Sequence, residues 1–413
     1  MSNLGDVLRQ VVCVPSHIPN DWLFLKLTDI CNPKQWRTIA SNEMSTSGYP
    51  VFGANGFVGF YHEYNHEDET VAITCRGNTC GTINRIPPKT YITGNSMALD
   101  DIKSDLVSQN YLFYALKYRG VVDSISGSAQ PQITGAGLKF IEFPAPPLPE
   151  QQKIAAILSS VDEVIEKTRA QIDKLKDLKT GMRQELLTKG VGHTEFKDSP
   201  VGRIPVGWDV VPLEKLVKAG KNITYGIVQA GPHYEGGVPY IRVSDMTGRS
   251  LSRNGMLLTS PEIAEKYERS AVSSGDIVYA LRGVIGHVQI VPKDLDGANL
   301  TQGTARVSPN ELVDTRYLLW AMKSPYVEYQ NDLEAKGSTF REVTLASLRK
   351  IQIATPELNE QKRIASILGS VELKIFAVED KLVHLESIKK ALMQDLLTGK
   401  VRVNVEQKET AVA

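Results

Sequence analysis

The chain of 413 residues carries 47 basic and 47 acidic side chains, a formal net charge of zero, and is 42% hydrophobic with 32 Gly and 21 Pro. That length predicts two or three domains of about 100–200 residues, and the composition excludes wholesale disorder. Four cysteines (Cys13, Cys31, Cys75, Cys80) are too few for a disulfide scaffold, no run approaches the ~18 apolar residues of a membrane span, and MSNLGDVLRQ lacks the plan of a secretory signal, so a reducing, cytoplasmic location with no membrane partner is expected.

In chain order, residues 1–149 read as mixed α/β. The strand-like run TVAIT (70–74) and the helical LVSQNYLFYALKY (106–118) are separated by Gly, Asn and Pro turns. A long helix over 150–191 follows. Residues 192–358 are again mixed α/β, with DIVYAL (276–281) as a strand and TRYLLWAMKSPYVEYQ (315–330) as a helix. A second long helix covers 359–401, and 402–413 is expected to be a flexible tail.

This order is a duplication. Shifting the sequence by 210 residues aligns 127–191 with 337–401 without a gap and gives 24 identities in 65 positions, against about one in fifteen by chance. EQQKIAAILSSV (150–161) meets EQKRIASILGSV (360–371), and QELLTKGV meets QDLLTGKV. Upstream the match is looser, with Pro19, Trp22 and Leu27 answering to Pro205, Trp208 and Leu213. The helices are alike and the segments before them differ.

Within the first helix Ile154, Leu158, Val161, Ile165, Thr168, Ile172 and Leu175 alternate by four and three. Ile364, Leu368, Val371, Ile375, Val378, Leu382 and Leu385 repeat that spacing in the second. A 3.5-residue apolar period over three heptads predicts a coiled-coil seam. The seams are expected to change phase and continue through Leu178, Met182 and Leu186, or Ile388, Leu392 and Leu396. Pro149 and Pro356 suit helix starts, and Gly190 and Gly399 suit C-terminal caps. The other reading is two helices that pack into a core. Against it, 150–191 carries eight basic and seven acidic residues, which suits a solvated rod.

No catalytic apparatus emerges. There is no GxxxxGK[ST] loop, no GxGxxG at a strand–helix junction and no Asn-Pro-Pro-aromatic tetrad, so neither a catalytic residue nor a metal or other cofactor is expected. His62 and His66, four apart in YHEYNHEDE, read as solvated loop histidines, and Cys75 and Cys80 as small buried side chains. What remains are polar clusters of the types that read base edges, Arg for guanine and Asn or Gln for adenine. In the first half these are Asn55, Tyr61, Arg76, Asn78, Asn95, Ser96, Gln130 and Gln132. In the second they are Tyr240, Arg242, Ser244, Asp245, Arg282, Gln302 and Arg306, with Lys336, Ser338 and Arg341 in a following loop.

PPLPEQQKIAAIL, its second copy ELNEQKRIASIL, and the closing LLTKGV and LLTGKV resemble the specificity subunit of type I restriction–modification enzymes. GGVPYIRVSDM and VFGANGFVGFY resemble segments of that family's target-recognition domains. The resemblance implies an α+β fold of two mixed α/β target-recognition domains, separated by two long antiparallel coiled-coil spacer helices with pseudo-two-fold duplication. Each domain would read one half of a bipartite double-stranded DNA target. It further implies two methyltransferase subunits, which bind S-adenosylmethionine, and restriction (translocase/endonuclease) subunits, so that S-adenosylmethionine, ATP and magnesium belong to the partners. The second copy has Asn359 where the first has Pro149, which leaves its helix start open by a few residues. A coiled-coil adaptor that binds only protein is the alternative reading. A nuclease hidden in one variable domain is a third, and no catalytic motif in the sequence supports it.

Overall fold

The computed structural model describes residues 18–54, 56–127, 130–334 and 342–405. The chain forms two compact units, residues 1–169 with 380–413 and residues 170–379. Each takes in part of both long helices.

Both units follow one plan. In the first, a four-stranded antiparallel sheet has the order Asn32–Gln35, Ser96–Asp100, Thr70–Thr74, Ile83–Ile86. Beside it a three-stranded sheet is ordered Gly56–Tyr61, Tyr49–Gly53, Tyr91–Ile92, its last pair parallel. The second unit repeats both orders, with Thr224–Tyr225, Thr304–Val307, Ile277–Ala280, Val288–Ile290, and with Leu258–Thr259, Val238–Ile241, Asn299–Leu300. All residues of Thr70–Thr74 and Ile277–Ala280 are buried, so these central strands are covered on both faces and read as continuous apolar runs.

Helix α1 (Gln109–Arg119) in the first unit and α3 (Thr315–Met322) in the second cover the four-stranded sheets. The long helices are α2 (Leu148–Lys189) and α4 (Leu358–Leu397). Both start at the equivalent residue, so Asn359 in place of Pro149 shifts nothing, and Pro149 lies in the first turn rather than ahead of it. Their first turns are core elements. Ile154 and Leu158 join the core of Tyr111, Tyr114 and Val71, while Ile364 and Leu368 join that of Tyr317, Trp320 and Tyr279. The core and rod readings therefore each describe part of these helices.

Within each unit the helices run antiparallel, as Lys389 on Asp162 and Lys179 on Glu372 (3.2 Å) require. Ile154, Leu158, Ile165, Ile172, Ile364, Leu368 and Ile375 are buried, and Val161, Leu175, Val371, Leu382 and Leu385 half-buried. The expected change of phase does not occur. Leu178 and Ile388 are 50% and 47% exposed, and the four-three spacing continues through Lys179 and Lys389, whose ammonium groups reach the partner helix's acids. A lysine stem packs along a seam while its head is ion-paired.

The flanking charges discriminate. Arg169 meets Glu386 at 2.7 Å and Lys176 meets Glu379 at 3.1 Å, yet by the 210-residue shift Arg169 corresponds to Glu379 and Lys176 to Glu386. Pairing α2 with α4 joins unlike charges, whereas either helix on its own copy would juxtapose like ones. Gly190 (φ 66°) and Gly399 (φ 71°) end the helices. A Cβ there would stand 2.7 Å from Trp208 and 2.5 Å from Pro19 respectively, so both caps need glycine for space as well as conformation.

Candidate nucleic-acid interface

In the first unit three loops converge at one end of the four-stranded sheet. The Ala54 carbonyl accepts hydrogen bonds from Thr74 Oγ1 and Thr79 Oγ1, both 3.1 Å, which ties the end of Tyr49–Gly53 to the loop after Thr70–Thr74. The Cys75 amide donates to the Asn95 carbonyl at 2.9 Å, the Ile133 amide donates to the Cys75 carbonyl at 3.0 Å, and Arg76 bridges Gln132. Arg76, Asn78, Gln130 and Gln132 are exposed and Asn95 half-buried. Arg76 has no acidic partner among the described residues. Sequence reasoning missed Phe57, 60% exposed near the start of Gly56–Tyr61 and braced edge-to-face on Phe60 at 5.1 Å. The aromatic directly after Ala-Asn-Gly in the sequence was the available signal.

The second unit builds a similar end from different residues. The turn 301–304 is tied to the end of Val238–Ile241, the Thr304 hydroxyl donating to the Ile241 carbonyl at 3.2 Å. Arg242 at that strand's end forks onto Asp245, Nε to Oδ2 at 3.0 Å and Nη2 to Oδ1 at 2.7 Å. Arg282 lies across Gly303, where a Cβ would stand 3.0 Å from its Nε and 3.2 Å from Val243 Cγ2. The geometry therefore brings Arg242, Asp245, Arg282 and Gln302 together, with Ser244 exposed beside them. Arg242 is already paired, so Arg282 supplies the guanidinium without an acid partner among the described residues.

Four expected contacts are withdrawn by burial. Ser96 is fully buried, its hydroxyl donating to the Gly53 carbonyl at 3.1 Å. Tyr61 packs on Tyr91 with ring centres 5.4 Å apart, and Tyr240 is 6% exposed. Arg306 is a core brace, Nη1 donating to the Ala271 carbonyl at 2.7 Å and Nη2 to that of Asn222 at 3.4 Å; burial lowers its proton affinity. Side-chain type alone does not reveal which face of a doubly covered strand a residue occupies. Asn55, Lys336, Ser338 and Arg341 lie outside the described residues.

His66 is also not a solvated loop histidine. It bonds Asp100 Oδ1 at 2.9 Å and meets Trp36 edge-on, while His62 stays exposed. Cys75 and Cys80 are buried and unpaired, and burial pushes the Cys75 thiol up to about 12, so it stays protonated. Among the described residues no cluster of His, Cys, Asp and Glu could hold a metal, and no helix is long and apolar enough to cross a membrane.

The repeated Glu-Gln at the helix starts has a structural role that spacing did not reveal. Gln151 Oε1 accepts from the Ser108 amide at 2.8 Å, and its Nε2 donates to the carbonyls of Leu106 (3.0 Å) and Pro146 (2.8 Å). Gln361 makes the same three bonds, from the Asp314 amide and to Leu312 and Pro356, at 2.8, 3.0 and 2.8 Å. The glutamates differ. Glu360 accepts from Trp208 Nε1 at 3.0 Å and the Val191 amide at 2.9 Å and contacts His193 Nε2 at 2.9 Å. Glu150 accepts from Arg402, which also forks onto Asp21 and holds that carboxyl below the usual range. Each Gln seat fixes the segment that leads into the unit's short helix to the start of its long helix.

The sequence profile of the type I restriction modification DNA specificity domain matches residues 19–177 and 205–386. The chain is 32% identical over 325 residues to the type I restriction enzyme MjaVIII specificity subunit of Methanocaldococcus jannaschii, covering 76% of this chain and 75% of that one. It is 25% identical over 279 residues to the EcoBI specificity subunit of Escherichia coli, covering 64% of this chain and 59% of that one. Its fold matches the crystal structure of a type I restriction–modification S subunit from M. genitalium with a TM-score of 0.63, at 16% identity, over 93% of this chain and 98% of that one.

Proposed function

Because the chain belongs to the type I restriction–modification DNA specificity family, we propose that each of its units reads one half of a bipartite double-stranded DNA target. The observation that carries this reading is the repeated plan with different loop ends, Arg76, Asn78 and Gln132 in one unit and Arg282, Ser244 and Gln302 in the other. The same scaffold presenting different donor sets suits two different half-sites, since phosphate contacts position a protein while base-edge contacts specify sequence.

In this reading α2 and α4 hold the half-sites at a fixed separation and dock two methyltransferase subunits on equivalent faces. Chemistry belongs to those partners and to the restriction subunits, with S-adenosylmethionine, ATP and magnesium bound there, and the assembly acts on DNA in the cytoplasm. The chain itself recognises and does not catalyse. An adaptor that binds only protein would leave two loop ends of unpaired arginines and amides without a role.

The test is selection of a random duplex library by the chain assembled with its methyltransferase subunit. Arg76→Ala is expected to relax the first half-site only and Arg282→Ala the second only, each at about 1–3 kcal/mol. Equal loss on every sequence would make either residue a phosphate contact. Failure to select any bipartite motif with the unaltered chain would favour the adaptor.

A further inference from the structure

A second set of cations lies where each unit's short helix meets the long ones. In the first unit Tyr114 and Lys117 of α1 face Asp162 of α2 and Lys389 of α4. Tyr114 Oη donates to Asp162 Oδ2 at 2.8 Å, and Lys389 pairs with the same carboxylate and stands 5.9 Å over the Tyr114 ring. In the second unit Trp320 of α3 and Lys323, at the C-cap of that helix, face Glu372 of α4 and Lys179 of α2, with Lys179 bonded to Glu372 at 3.2 Å and Lys179 and Lys323 5.7 and 5.3 Å over the indole. Tyr114 and Lys117 precede Trp320 and Lys323 by 206 residues, and Asp162 and Lys179 precede Glu372 and Lys389 by 210. The two lysines recur in both halves with an aromatic and an acid of varying type, Tyr114 or Trp320 and Asp162 or Glu372, at a junction where the core residues Tyr111/Tyr317, Leu112/Leu318 and Ala115/Ala321 are also shared.

Each quartet has one acid for two lysines, and an arginine with open donors stands beside it. Arg85 lies over Phe113 at 4.7 Å with its Nε and Nη2 buried and without a hydrogen-bond acceptor; its contact to Glu69 is 3.6 Å. Arg183 has a buried Nε without an acceptor, and its contact to Glu328 is 3.8 Å. Neither Lys117 nor Lys323 has an acid within ion-pairing distance among the described residues. Crowding by protein, and for Lys117 the charge of Lys389, lower the proton affinity of both. Buried donors left open are costly, and three cations gathered around two carboxylates in each unit suit an oxyanion with several acceptors.

We propose that the two quartets, with Arg85 and Arg183, are equivalent seats for phosphodiester groups of the DNA backbone. The inference rests on the DNA-reading role above, and the retained chemistry favours phosphate over base. A base contact must differ between half-sites, as the loops do. A phosphate is the same on every sequence, so one constellation serves both units.

The test uses the full chain assembled with its methyltransferase subunit and carrying Lys117→Gln with Lys323→Gln, which spares both lysine–carboxylate bridges. Binding to random-sequence duplex is measured across salt concentrations. The slope of log affinity against log salt is expected to fall by about 0.9 for each lysine, or about 1.8 in all, with the selected target unchanged. Single variants should each give half. An unchanged slope overturns the proposal, as does lost association with the methyltransferase subunit at unchanged slope, which would make the seats protein-docking sites. An unaltered complex that binds DNA without sequence preference would defeat the reading role while leaving the slope test of the seats intact.

Discussion

Gln361→Ala is expected to destabilise the second unit by about 3 kcal/mol. The side chain is fully buried, and its removal leaves the Asp314 amide and the Leu312 and Pro356 carbonyls without partners. Each such buried group costs about 1–3 kcal/mol, partly relieved where water enters the space left. Hydrogen exchange should show the amides of 312–318 opening together, ahead of the first unit. Gln151→Ala should do the same to residues 106–112. Because the two cores are separate, the effects should be local and nearly additive. A loss below about 1 kcal/mol would mean that these backbone groups find other partners. Gln361→Glu is the sharper control, since it keeps the volume and the acceptor but removes both donors, and should rescue less than half.

Inserting one heptad into both long helices, after Asp173 and after Asp380, is expected to abolish recognition of the original target while leaving both units folded. Seven residues add about 10 Å, or about three base pairs at 3.4 Å each. Over three base pairs B-DNA also turns through roughly 100°, given 10–10.5 base pairs per turn, and a two-stranded coil does not follow that rotation. The second reader would face the wrong side of the duplex. Losing one half-site should cost at least about 4 kcal/mol, on the order of a thousandfold. Insertion into α2 alone breaks the pairing of Lys176 with Glu379 and of Lys179 with Glu372, and should unfold the seam. Retention of the original gap and affinity after paired insertion would remove the ruler role.

Much of the fold was legible because a duplication states the same plan twice. The long helices run Leu148–Lys189 and Leu358–Leu397, and TVAIT and DIVYAL contain the central strands. Failures were of three kinds. A lysine whose head is ion-paired can hold a seam position, so an apolar count placed Leu178 and Ile388 there instead of Lys179 and Lys389. Burial separates Arg306 from Arg282 although both are arginines near the same turn, because Arg306 sits within a strand covered on both faces. The Glu-Gln at each helix start was conspicuous as a repeat, yet its role needed partners 40 or more residues away, which no local spacing encodes. Phe57 shows the reverse. An aromatic in a strand reads as core, yet near the start of Gly56–Tyr61 the ring is exposed.

The central claim is that one chain carries two different readers held at a fixed distance. Methylome sequencing of a host supplied with this chain and its methyltransferase subunit tests it most directly. The account predicts a single methylated motif of two dissimilar half-sites separated by an unspecified gap of constant length. A contiguous motif, a gap of variable length, or no methylation tied to sequence would contradict it.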